Sequence, residues 1–177
     1  MPARSSLFVA SLLVGLAQPV AGADATVAPE EHCVVFVVDQ EPDGELITTD
    51  PVCFPAQKET DAYGRTWLRS VSPRAPVSPV RRTGLALASF TLGTHYDGAN
   101  GTGSSISVVG SSCTGGYWNT PSNWDNRISS SFNGCARLRH WDLPGMAGSS
   151  QNTYGAGSTH NLSSMDNKTQ SVSYHSS

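Results

Sequence analysis

Charge is scarce in this 177-residue chain: Asp and Glu number 14 against 11 Lys and Arg. No basic cluster builds the field that nucleic acid or an anionic membrane surface requires. Beyond the N-terminus nothing approaches the roughly 20 apolar residues of a membrane-spanning helix, and from about Gly84 to the end no run of useful length shows the 3.6-residue apolar spacing of an amphipathic helix. No serine stands in a G-x-S-x-G elbow, no cysteine is left over as a nucleophile, and no paired carboxylates recur in an apolar context. The chain therefore reads as non-enzymatic, with no nucleic-acid partner and no membrane anchor. Its four cysteines include no C-x-x-C pair, which argues against a zinc site.

What is present begins with an address. Arg4 precedes the apolar run Leu7 to Ala17, and small residues follow at Ala21, Ala23 and Ala25. This is the pattern of a secretory signal peptide, residues 1–23, with cleavage after Ala23 or Ala25 both fitting. The mature protein is expected to be soluble and secreted. In that setting an even set of cysteines implies disulfides, and pairing by proximity gives Cys33 with Cys53 and Cys113 with Cys135.

Three zones follow. The first, roughly 31–55, reads "HCVVFVV", then "DQEPDG", then "ELITTDPVCF", two β-prone runs around a turn at Asp43 that suit a stapled hairpin. "AQKETDAYGRTWLRS" reads as one short helix interrupted by Gly64. Pro73, Pro76 and Pro79 then recur every third residue, as in an extended linker. We group 24–83 as hairpin segment and linker. The third zone, 84–177, has short β-prone runs separated by Gly, Asn, Asp and Ser, and is expected to be an all-β domain.

This zone repeats itself. "YDGANGTGSS" from Tyr96 matches "WDLPGMAGSS" from Trp141, an offset of 141 − 96 = 45, and "DNRISSS" from Asp125 matches "DNKTQSV" from Asp166, an offset of 166 − 125 = 41. Two elements recur in the same order at nearly equal spacing. Such self-similarity marks a duplicated structural unit.

On these residues, from about Ala86 to Tyr174, the chain resembles the βγ-crystallin superfamily. Its unit is a Greek key with an aromatic-acid-x-x-x-x-x-Gly hairpin and a later N/D-N/D-x-x-S/T-S stretch. The first unit supplies Tyr96, Asp97 and Gly103, then Asp125, Asn126, Ser129 and Ser130; the second supplies Trp141, Asp142 and Gly148, then Asp166, Asn167 and Ser171. The resemblance implies a β-sandwich of two Greek keys. It also implies calcium sites formed between units, from hairpin carbonyls and the polar stretch of the partner unit. Expected metal residues are Asp97, Asp125, Asn126, Ser129, Asp142, Asp166 and Asn167. Gln170 departs from the motif where Ser or Thr is usual, so the site that uses it should be weaker or absent.

Calcium suits these residues on chemical grounds as well, since it accepts carboxylate, amide, hydroxyl and carbonyl oxygens in flexible geometry. One carboxylate per polar stretch predicts affinity between the sensor and extracellular ranges. A plainer reading stands beside it, in which Asp125 and Asn126 cap a turn through their own backbone. Tyr96 and Trp141 read as plugs over a turn glycine rather than stacking platforms, and Gly103 and Gly148 as positive-φ positions. The five histidines show no ligand spacing and read as scattered.

Small secreted proteins of this resemblance include a metalloproteinase inhibitor family. That gives a rival reading, a protease-binding loop within Ser111 to Trp124 carrying Tyr117 and Trp118, with an extracellular protease as partner. A toxin-like role fits poorly, because the chain lacks a cationic face.

Overall fold

A computed structural model describes residues 29–70 and 89–177. The signal segment and the proline linker lie outside the described residues. Among those described, no helix is long and apolar enough to cross a membrane, and the all-β expectation holds in its coarse form: eleven strands in two sheets with one α-helix.

The first 42 described residues form β1 (His32–Gln40), β2 (Leu46–Thr48), β3 (Val52–Phe54) and α1 (Gln57–Ser70). β1 is not an isolated hairpin arm. Its far side pairs in parallel with β5 (Ser105–Gly110), His32 opposite Ser105 through Phe36 opposite Val109. β3 and then β2 pair antiparallel along its other side. The unalternating run of β1 follows from this position, because a strand covered on both faces needs apolar residues at every step. Cys33 and Val35 point into the main core, while Val34 and Phe36 join Val109 and Trp67 on the opposite face.

α1 provides that outer cover. Trp67 stacks on Phe36 at 3.9 Å between ring centroids, and Thr60 donates its hydroxyl to the His32 carbonyl at 2.7 Å. The helix runs unbroken through Gly64, which corrects the expected interruption. A mid-helix glycine costs about 1 kcal/mol relative to alanine, and the Phe36–Trp67 contact, with Tyr63 against Phe36 and Phe54, offsets more than that.

The remaining strands are β4 (Phe90–Tyr96), β5, β6 (Thr114–Asn119), β7 (Ser130–Asn133), β8 (Arg137–Leu143), β9 (Ala147–Tyr154), β10 (Thr159–Asn161) and β11 (Ser171–His175). One sheet runs β10-β7-β4-β5-β1-β2, with β3 also on β1; the other runs β6-β11-β8-β9. Each repeat thus sends one strand across: β6 joins the strands of the second repeat, and β10 those of the first. Leu92, Ile106, Val108, Trp118, Ile128, Leu138, Val172 and Tyr174 fill the space between the sheets.

Both expected disulfides form, Cys33–Cys53 between directly opposed residues of β1 and β3, and Cys113–Cys135. Replacing Cys33 and Cys53 by Ser should cost roughly 3 kcal/mol, the loop-closure value for a loop of this order. Urea midpoints of the oxidised protein and the double variant would show it, and an unchanged midpoint would mean that β3 and α1 hold without the bridge.

Candidate functional site

The duplicated motifs meet at a seam. In each repeat a hairpin folds back on an acid: Asp97 packs its carboxylate against Gly103, which sits at φ 77°, and Asp142 accepts the Ser149 N–H at 2.7 Å beside Gly148 at φ 78°. No side chain but hydrogen fits where the carboxylate lies, so glycine answers both the positive φ and the close approach.

The polar stretches cross between repeats. Asn126 donates its backbone N–H to the Thr169 carbonyl and Asn167 donates to that of Ile128, each at 3.0 Å. Both asparagines hold left-handed backbone, φ 58° and 53°, a conformation their short amides tolerate. The crossing sets side chains in two reciprocal pairs, Ser129 Oγ with Asn167 Oδ1 and Gln170 Nε2 with Asn126 Oδ1, both at 3.4 Å. Ser129 also lies on the first hairpin through the Tyr96 carbonyl at 2.8 Å, and Gln170 on the second through that of Trp141 at 2.8 Å.

The two crossings differ in their acids. Asp125, beside Asn126, accepts the hydroxyl of Thr120, which also lies 3.1 Å from the Gln170 carbonyl. The matching position in the other crossing is Leu162, whose N–H bonds the Ser129 carbonyl as that of Thr120 bonds Gln170. With no hydroxyl there, Asp166 is exposed and makes no side-chain hydrogen bond or ion pair among the described residues. Asp97 is engaged too, in a 2.7 Å ion pair with Arg127, the only ion pair among the described residues.

These positions decide which donors a cation would meet. The Ser129 crossing offers a hydroxyl, an amide oxygen and backbone carbonyls, with the unengaged carboxylate of Asp166 on the residue next to Asn167, donor types that fit a hard, oxygen-seeking cation. The Gln170 crossing is closed by its own amide and by the Thr120 hydroxyl. The four aspartates do not converge: the one cluster of three potential ligand groups among the described residues is Glu31, Cys33 and Cys53, whose sulfurs are spent in a disulfide.

Tyr117 and Trp118 require correction. They do not ride an exposed loop but lie within β6, at 5% and 3% exposure. Trp118 points into the core and stacks on His95 at 5.7 Å between ring centroids. Tyr117, on the other face, is covered by the turn after β1, where Gly44 accepts its N–H at 3.0 Å and Asp43 its hydroxyl at 3.3 Å. Neither ring is presented to a partner. Of the two hairpin aromatics, Tyr96 packs near Gly101, whereas Trp141 lies under the Arg139 guanidinium, 4.0 Å from its ring centroid.

Two histidines are not scattered. His95 and His140 precede the hairpin aromatics of the two repeats, share the 45-residue offset, and meet edge-to-face in the core at 5.7 Å, each fully buried. His95 bonds Ser131 Oγ at 2.8 Å and Tyr174 Oη at 3.1 Å, whereas neither ring nitrogen of His140 has a partner. Burial pulls the His140 imidazole down to about 3, and burial and then the neighbouring His140 hold His95 well below the ordinary range. Extending the repeat by one residue, from Tyr96 and Trp141 to His95 and His140, was the available signal.

Comparison with family models, with curated proteins and with solved structures returns no match for this chain.

Proposed function

We propose that the chain is an exported, non-catalytic βγ-crystallin-like protein whose two Greek-key units bind calcium at their seam and gain stability from it. The reciprocal crossing of the Asn126 and Asn167 stretches carries this reading, because it sets the oxygen donors of one repeat against the hairpin of the other. The exchange of β6 and β10 between sheets supports the Greek-key assignment, and the two disulfides fit an oxidising compartment. Ser129, Asp166 and Asn167 would hold the ion in the favoured crossing. Asp125, Asn126 and Gln170 would hold it more weakly, while Asp97 and Asp142 shape the hairpins whose carbonyls contribute. A bound cation would draw the seam's oxygens together; the chain's own part is to hold them on two units that separate on unfolding.

Binding to the native state alone adds about 2.7 kcal/mol at 100 times Kd. Thermal melts in EDTA, millimolar calcium and millimolar magnesium should show a calcium-specific rise of several degrees. Asp166→Ala should remove that rise and leave the EDTA melt unchanged. Asp125→Ala should lower the EDTA melt, by loss of the Thr120 bond, and keep most of the rise. A wild-type melt indifferent to calcium would reduce the seam to turn architecture.

A further inference from the structure

β9 closes one side of the β6-β11-β8-β9 sheet, and no described strand pairs with its outer edge. It is eight residues long, "AGSSQNTY", without charge or proline. Edge strands are ordinarily blunted by lysine, proline or an inward charge, because an open row of N–H and C=O groups templates another strand. β9 carries no lysine, proline or charge; its one irregularity is the register shift at its start, opposite Trp141 to Leu143 and beside the positive-φ Gly148, and Ala147, Gly148, Ser149, Asn152 and Tyr154 are exposed along it.

The sheet face next to this edge has a definite chemistry. Arg137, Arg139 and Trp141 of β8 alternate with the buried Leu138 and His140, so all three lie on the outer face. Across from them stand Tyr154, Asn152 and Ser150 on β9, and His175, Ser173 and Ser171 on β11. Neither arginine has a carboxylate partner, the one described ion pair being Arg127 with Asp97. The Nε of Arg137 is buried without a hydrogen bond. Arg139 is held in place, donating Nε to Ser150 at 2.9 Å while its plane rests on Trp141. The positive charge is felt locally: after burial, Arg137 and Arg139 hold the His175 imidazole below its ordinary range.

We propose that the β9 edge and the Arg137/Arg139 face form a docking surface for an extended acidic polypeptide, which adds to the sheet as a further strand. Strand spacing puts the outward side chains of an added strand about 10 Å from the Cα atoms of the two arginines. An arginine and an acidic side chain together span that gap, and the guanidinium fork suits a carboxylate. Main-chain hydrogen bonds along β9 would supply affinity, and the arginines the preference for acid. A second copy of this chain is a poorer occupant: β9 against β9 would set both arginine pairs on one continuous face and bring no carboxylate to either.

The test uses the oxidised mature protein and a short fluorescein-labelled peptide alternating Glu with Thr, against the same peptide with Gln for Glu. Saturable binding of the Glu peptide is expected, weaker by about tenfold for the Gln peptide and for Arg137→Gln plus Arg139→Gln. Amide exchange within 147–154 should slow on binding. Both arginines are partly exposed, so an unchanged melt should show that the double variant folds; if it does not, Tyr154→Asp, which opposes acid at an exposed position, takes its place. Equal binding of the two peptides, binding without protection of β9, preference for an acidic oligosaccharide, or a concentration-dependent dimer would each overturn the proposal.

Discussion

Lowering the pH from 7 to 3 should destabilise this protein far more than its few carboxylates account for, and replacing His140 by Phe should remove a large part of the excess, the buried His95 supplying the rest. In the unfolded chain His140 titrates near its ordinary value of about 6.5, whereas in the folded protein burial without partners lowers it to about 3. A depressed folded value means that the unfolded state binds the proton first. Stability is therefore fully present above pH 6.5 and drains away as the pH falls toward 3. At 1.36 kcal/mol per unit the loss from His140 reaches roughly 4 to 5 kcal/mol at the acid end. His95 acts in the same direction and sits edge-to-face with it, so a proton on either ring raises the cost of one on the other. Urea midpoints from pH 8 to 3 for wild type and His140→Phe would separate this contribution from that of the carboxylates, which both proteins share. Parallel pH dependences for the two proteins would show that the imidazole finds a partner in solution and that its isolation is not the source of acid sensitivity.

The second large effect concerns Trp118. Removing a buried tryptophan leaves a cavity in addition to the lost transfer free energy, and Trp118→Ala should cost about 3–5 kcal/mol. The residue is 3% exposed, opposite Val172 of β11 and stacked on His95. A residue anchoring a partner through an exposed loop would behave in the opposite manner, losing binding with an unchanged melt. A melt of Trp118→Ala within a degree of wild type would therefore restore the loop reading and contradict the buried position.

The contrast between Trp118 and the seam shows what the sequence could convey. The hairpin acids, the positive-φ glycines and the paired polar stretches are local devices, set by residues a few positions apart, and their duplication at offsets of 45 and 41 made them legible. The disulfide pairings were legible for the same reason, being between near neighbours in the chain. Tyr117 and Trp118 were not. "TGGYWN" presents aromatics to both faces of a strand, and whether the Tyr117 face is wet depends on a turn contributed by Asp43 and Gly44, 74 residues earlier in the case of the Asp43 bond. The apolar run of β1 was legible as a β-prone arm of a stapled hairpin but not as a strand covered on both faces, because its neighbour β5 lies far along the chain and nothing local names it. The asymmetry of the two crossings turns on Thr120 against Leu162, positions outside the repeated motif, and became visible only when the strands brought them to the seam.

The parallel pairing of β1 with β5 also bears on the order in which the chain can become structured. His32 meets Ser105 across 73 residues, and such non-local pairing forms late because loop closure must precede any return from contact. As the chain is synthesised from its N-terminus, β1, β2, β3 and α1 are available before β4 to β11, and β1 stands with an apolar edge open. The Cys33–Cys53 bridge, closing only a 20-residue separation, can lock that hairpin in register early, and α1 can shield Phe36 from one side. Folding without oxidant would then be expected to yield aggregates seeded at β1, even where the sandwich strands themselves remain competent to fold.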